Sequence, residues 1–158
     1  MMIWCRKGRI VRDRTSYEDF VPAEPVQRVV TLVHGTWPRG PFNLGRAVDW
    51  YRRDAAICGA LYGCGQHPTV IHRFKWSGRN SATARFKAAE ELRSDLSALL
   101  ERYPEATHSI VAHSHGANVA INALGDSSVA SRLSAMVCLS VPFFAHIAAA
   151  MGNTATAV

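Results

Sequence analysis

Four short β-type runs, separated by stretches of helical spacing, constrain this chain more than any other feature. They are Val26 to His34, Thr69 to Trp76, Thr107 to Ala112 and Ala135 to Val141. The first, V-Q-R-V-V-T-L-V-H, is β-branched and apolar enough for a strand buried on both faces. Between the first two runs, Leu44, Ala47, Val48, Tyr51, Ala55 and Cys58 recur at helical spacing, Arg52 and Arg53 take the opposite face, and Gly63 and Gly65 end the helix. The span from Ala82 to Tyr103 carries the strongest apolar stripe, through Ala89, Leu92, Leu96, Leu99, Leu100 and Tyr103, and Pro104 stops it. A further helix is expected over Ala117 to Leu124. Strands alternating with helices predict an α/β fold: a mostly parallel sheet with helices on both faces, in three layers. Ligands then bind at the carboxyl ends of the strands.

A chain of 158 residues with 48% hydrophobic composition can bury one core. The expected division is an arm or edge strands over 1–25, the α/β core over 26–151 and a tail of small residues over 152–158. No apolar run approaches the roughly 20 residues that span a bilayer, and the opening M-M-I-W-C-R-K-G-R meets charge too early for a signal peptide. A cytoplasmic location is therefore expected. The four cysteines show no C-x-x-C pairing, and Cys138, inside an apolar run, reads as a reduced core thiol. The net charge of +6 includes a cluster at Arg6, Lys7, Arg9, Arg12 and Arg14, which reads as a solvated arm. No nucleic-acid motif or aromatic stacking pattern accompanies it, so no nucleic-acid partner is expected.

The chemistry concentrates in Thr107 to Leu124, T-H-S-I-V-A-H-S-H-G-A-N-V-A-I-N-A-L. A strand entering a helix through one tight turn strains its central residue, here Ser114, and lifts the hydroxyl off the sheet. Ala112 and Gly116, two positions to either side, leave room for the turn, with Ala112 standing where the usual G-x-S-x-G pattern has glycine. Upstream, the first strand runs into His34-Gly35-Thr36-Trp37, where Gly35 lets the backbone turn sharply. Acyl transfer needs two fixed N–H donors for the developing oxyanion, one after the nucleophile and one from a neighbouring loop. His115 and Thr36 occupy those positions.

With L-V-H-G-T-W at Leu32 to Trp37, F-K-W-S-G-R-N-S at Phe74 to Ser81, A-H-S-H-G-A-N at Ala112 to Asn118 and C-L-S-V-P-F at Cys138 to Phe143, the chain resembles the α/β-hydrolase superfamily, specifically bacterial serine esterase- and lipase-like members. The resemblance implies a carboxylic-ester hydrolase with Ser114 as nucleophile, the N–H groups of Thr36 and His115 as oxyanion hole, a small-molecule ester or lipid-like substrate, and no cofactor. It also implies further strands after Val141, so the chain reads as a C-terminally shortened or degenerate member. The open sheet edge would then invite pairing with a second copy.

A serine nucleophile needs a base, and in this fold the order is Ser, acid, His. After Ser114 the only carboxylate side chain is Asp126, at the far end of its helix, roughly 15 Å or more away at about 1.5 Å per residue. His146 is the remaining base candidate, set against a plain reading as a histidine on a short terminal helix. The rival reading is a catalytically defective hydrolase-like module that binds a partner, and a weaker one is a basic surface-binding protein.

The remaining residues have plainer assignments. His34, His113 and His115 lack an accompanying carboxylate, so no metal site is expected. His72 and His108 read as packed strand residues. Trp37, Phe42 and Trp50 read as core aromatics, with an acyl-pocket wall as the alternative, and Asn80 or Ser81 is expected to cap the long helix.

Overall fold

The computed structural model describes residues 8–9, 21–22, 25–37, 55–63, 67–125 and 128–142. Two residue pairs, β1 (Gly8–Arg9) and β2 (Val21–Pro22), form a small antiparallel ladder. The main sheet contains β3 (Arg28–Val33), β4 (Thr69–Phe74), β5 (Thr107–His113) and β6 (Leu133–Leu139) in the order β4-β3-β5-β6, every pair parallel. Among the described residues the helices are α1 (Ala56–Gly63), α2 (Ala82–Arg102) and α3 (His115–Leu124), and a short 3-10 helix, Ala130–Arg132, precedes β6. Among the described residues, no helix is long and apolar enough to cross a membrane.

Because side chains alternate across a strand, the central strands feed cores on both faces of the sheet. Val30, Leu32, Ile71 and Val111 face α1, where they pack with Cys58, Ile57 and Leu61. Val33, Phe74, Ile110 and Ala112 face the other way, onto Leu92 and Leu96 of α2 and Val119 and Ala120 of α3. Each fully buried leucine contributes about 1.5–3 kcal/mol of transfer free energy, so the α2 stripe is the main anchor of that layer. Its buried residues are Ala88, Ala89, Leu92, Leu96, Leu99 and Leu100, which is the stripe expected from spacing with its ends shifted. The three-layer α/β arrangement is thus present. His72 and His108 are buried in β4 and β5.

Three arginines hold the helix ends, each donating to carbonyls that the last turn of a helix leaves without partners. Arg28 reaches Leu61 O of α1 at 2.9 Å, Arg132 reaches Leu100 O of α2 at 3.3 Å, and Arg93 reaches Ala123 O and Asn122 O of α3 at 2.9 and 3.1 Å. Part of the basic excess is therefore structural rather than a solvated face.

Several expectations shift. Much of the first expected helix lies outside the described residues, and α1 begins only at Ala56 and ends at Gly63. The last strand sits two residues earlier than its pattern suggested, and α3 starts at His115, directly on the turn. Cys138 is exposed, not a core thiol, because β6 ends the described sheet and its neighbours Val137 and Leu139 are 48% and 38% exposed. Phe42, Trp50, Asp126 and His146, together with the tail over 152–158 and most of the arm over 1–25, lie outside the described residues.

Candidate active site

Among the described residues, Ser81 and Ser114 each stand at the N-cap position of a helix, and their geometries differ in the way that matters. Ser81 caps α2 with extended backbone, φ −142° and ψ 149°, and its hydroxyl accepts the Ala84 N–H at 3.2 Å. That is the ordinary work of an N-cap serine. Ser114 stands at the same position before α3, yet its φ is 53° and its ψ −131°, and its side chain makes no capping bond. A non-glycine residue in that region costs about 1–3 kcal/mol and persists only where its surroundings hold it. Here the Ser114 N–H donates to Leu139 O at 2.8 Å, and the Ser114 carbonyl accepts the Ala117 N–H at 3.0 Å.

The strain is shared. Among the described residues the non-glycines with positive φ are Trp37 at 48°, Ser114 at 53° and Ser140 at 51°. They follow β3, β5 and β6, three adjacent strands, at their carboxyl ends. No residue type in the sequence signals the Ser140 conformation.

Two glycines let the chain close around Ser114 by providing space. The chain bends at Thr36, and Gly35 is outside the left-handed region, so what glycine provides there is space. A Cβ there would lie 2.8 Å from Ser114 Cβ, 3.0 Å from His113 O and 3.4 Å from Ser114 Oγ. The Gly35 loop therefore lies directly against the serine side chain. A Cβ on Gly116 would fall 2.4 Å from His34 O and 2.6 Å from Val33 O, so α3 starts hard against the exit of β3.

Thr36 follows Gly35 and is half-buried, and His115 is the first residue of α3, where backbone N–H groups lack intrahelical acceptors. The His115 ring is engaged along the helix, its Nδ1 accepting from Asn118 Nδ2 at 3.0 Å. Trp37, expected as a core aromatic, is 50% exposed, and its N–H donates to Gly78 O at 2.9 Å.

Spacing alone did not reveal the pairing of His34 with Trp76. The rings stack at 5.6 Å with planes 12° apart, the Trp76 indole N–H donates to His34 O at 2.8 Å, and the Trp76 backbone N–H approaches His34 Nε2 at 3.4 Å. His34 Nδ1 lies 2.8 Å from Gly35 O. Burial holds the His34 pKa below its usual value, against the raising pull of the bond to the Gly35 carbonyl. A cleft of about 690 Å³ between the loop after β4 and the first turns of α2, lined by Trp76, Ser77, Arg79 and Lys87, flanks this cluster and does not include Ser114. Among the described residues, no group of three His, Cys, Asp or Glu could hold a metal ion.

The sheet order, the three layers and the strand–turn–helix at Ser114 define an α/β-hydrolase-like fold. Among solved structures, the chain is similar to a Trichoderma reesei cutinase in complex with a C11Y4 phosphonate inhibitor, with a TM-score of 0.56 and 16% identity over 73% of this chain and 52% of that one. A thermostable carboxyl esterase from Bacillus coagulans, in complex with glycerol, gives a TM-score of 0.49 and 14% identity over 78% of this chain and 41% of that one. The chain thus spans about half the length of these structures. No protein-family model matches it, and no curated protein matches it either.

Proposed function

We propose that this protein is a serine hydrolase of carboxylic esters, with Ser114 as nucleophile and the N–H groups of Thr36 and His115 as oxyanion donors. One observation carries the reading: a serine at the N-cap position, strained to φ 53° and ψ −131°, leaves its hydroxyl out of helix capping and against the Gly35 loop. In the reaction, Ser114 Oγ attacks the ester carbonyl carbon and its proton passes to a base. The carbonyl electron pair moves onto oxygen, where two preorganised donors are each worth roughly 10² to 10³ in rate. No metal or organic cofactor is required, since side chains and backbone donors suffice for acyl transfer. His146 is the base candidate. That the cutinase is held with a phosphonate inhibitor makes a phosphonate the natural probe.

A second reading is a hydrolase-like binding module, which the exposed Val137, Cys138 and Leu139 on β6 would suit. A fluorophosphonate separates the two. Stoichiometric labelling of the folded wild type that disappears in Ser114→Ala supports the hydrolase, and absence of labelling in folded wild type favours the binding module.

A further inference from the structure

We infer that His34 is a positioning residue for this site: its ring anchors the Gly35 carbonyl and thereby aims the Thr36 N–H at the space above Ser114. The inference rests on the serine-hydrolase reading and extends it to a residue with no part in bond-making.

In a trans peptide the C=O and N–H point in opposite directions, so whatever holds the Gly35 carbonyl also orients the Thr36 N–H. Glycine leaves its flanking peptides easier to rotate than any other residue does, and here glycine is obligatory because a Cβ would strike Ser114. The position that must be glycine for space is thus the one that most needs an external restraint. His34 Nδ1 supplies it at 2.8 Å.

The ring is itself held in one orientation. A carbonyl can only accept, so Nδ1 carries the proton, and the Trp76 N–H approaching Nε2 requires a lone pair there. Both contacts agree on one neutral tautomer, and burial favours the neutral form. Stacking on Trp76 fixes the ring plane, and the Trp76 indole bond to His34 O fixes the backbone beneath it. At the far end of the loop, the Trp37 N–H is tied to Gly78 O. Thr36 therefore lies between two pinned peptides, both secured to the segment leaving β4, and its N–H belongs to the first of them.

The test compares variants of the full chain by the kinetics of phosphonate labelling, separating reversible affinity (KI) from the covalent rate (kinact). His34→Phe keeps a ring on Trp76 but has no donor, whereas Asn in His34→Asn carries an amide N–H near the place of Nδ1. The expected result is a kinact reduced roughly 10²- to 10³-fold in His34→Phe, the size seen for removing one oxyanion donor, with KI nearly unchanged and most of the rate recovered in His34→Asn. A role confined to stability would lower the denaturation midpoint of both variants without separating kinact from KI. Should His34→Phe fail to fold, His34→Gln, which can replace the Nε2 acceptor but not the Nδ1 donor, takes its place and is expected to be slow. Wild-type kinact in the donor-less variant, or equal slowing in that variant and His34→Asn, overturns the inference. Wild type that resists labelling overturns the serine-hydrolase reading first, and the positioning role falls with it.

Discussion

The same substitution, glycine to alanine, is expected to have opposite effects at two helical sites, Gly116 and Gly59. At Gly59 in α1 an added Cβ meets nothing within 4 Å, and the backbone is not in the left-handed region. Gly59→Ala should therefore stabilise by about 0.5–1 kcal/mol through helix propensity and loss of unfolded-state freedom. At Gly116 the Cβ would meet His34 O at 2.4 Å, Val33 O at 2.6 Å and the His34 carbonyl carbon at 2.8 Å. All three are backbone atoms at the end of a buried strand, so none can swing aside. Moving the shortest of these contacts from 2.4 Å to an ordinary 3.4 Å requires the start of α3 to retreat by about 1 Å.

Three unyielding backbone contacts put the overpacking cost in the upper part of its usual range, about 2–3 kcal/mol, and a propensity gain of about 1 leaves a net loss of about 1–2 kcal/mol. In a chain of this size that lowers Tm by about 2–8 °C. The retreat also carries Ser114 and His115 with it, and under the serine-hydrolase proposal a misplacement of about 1 Å there costs on the order of 10² in rate. Urea titration, with the slope m checked for constancy, measures the first effect, and the rate of phosphonate labelling measures the second. If Gly116→Ala matches wild type in midpoint and labelling while Gly59→Ala gains stability, α3 does not start against the β3 exit, and the close-approach argument is wrong.

Two further outcomes follow from the helix ends and the buried histidines. Arg93→Met should cost about 1–2 kcal/mol, because it strips two charge-assisted bonds from the carboxyl end of α3, while the exposed Lys87→Met should stay within about 0.5 kcal/mol; thermal denaturation of the pair tests this. His34 and His108 are both held below the usual 6.5, chiefly by burial, so the unfolded chain takes up protons that the folded rings refuse. Their contribution to stability is fully present above about pH 6.5 and is lost as pH falls from there through the folded values. Urea midpoints should accordingly drop between pH 7.5 and 5.5, and a flat profile across that window would contradict the burial of these rings.

What was legible in the sequence was whatever depends on near neighbours. The β-branched, apolar runs of β3 and β5 mark strands covered on both faces, and the Leu92–Leu96–Leu99 stripe follows from 3.6 residues per turn. Ser81 could be read as a cap and Pro104 as a stop because each acts within one turn. The small-x-Ser-x-small segment was visible for the same reason. Which small residues provide room and which provide conformational freedom was not, since Gly35 and Gly116 are required by atoms on other strands. The helix-end roles of Arg28, Arg93 and Arg132 have no local signal, because the carbonyls they hold lie about 30 residues away in the chain.

The sequence by itself determined the alternation of strands and helices and the serine that interrupts it, through periodicities that local sterics enforce. Only the tertiary structure decided that β3 would lie between β4 and β5, and this order sets the Gly35 loop against Ser114 and brings Trp76 onto His34 across 42 residues. No local pattern encodes such a meeting, because it is fixed by how the two faces of the sheet are covered.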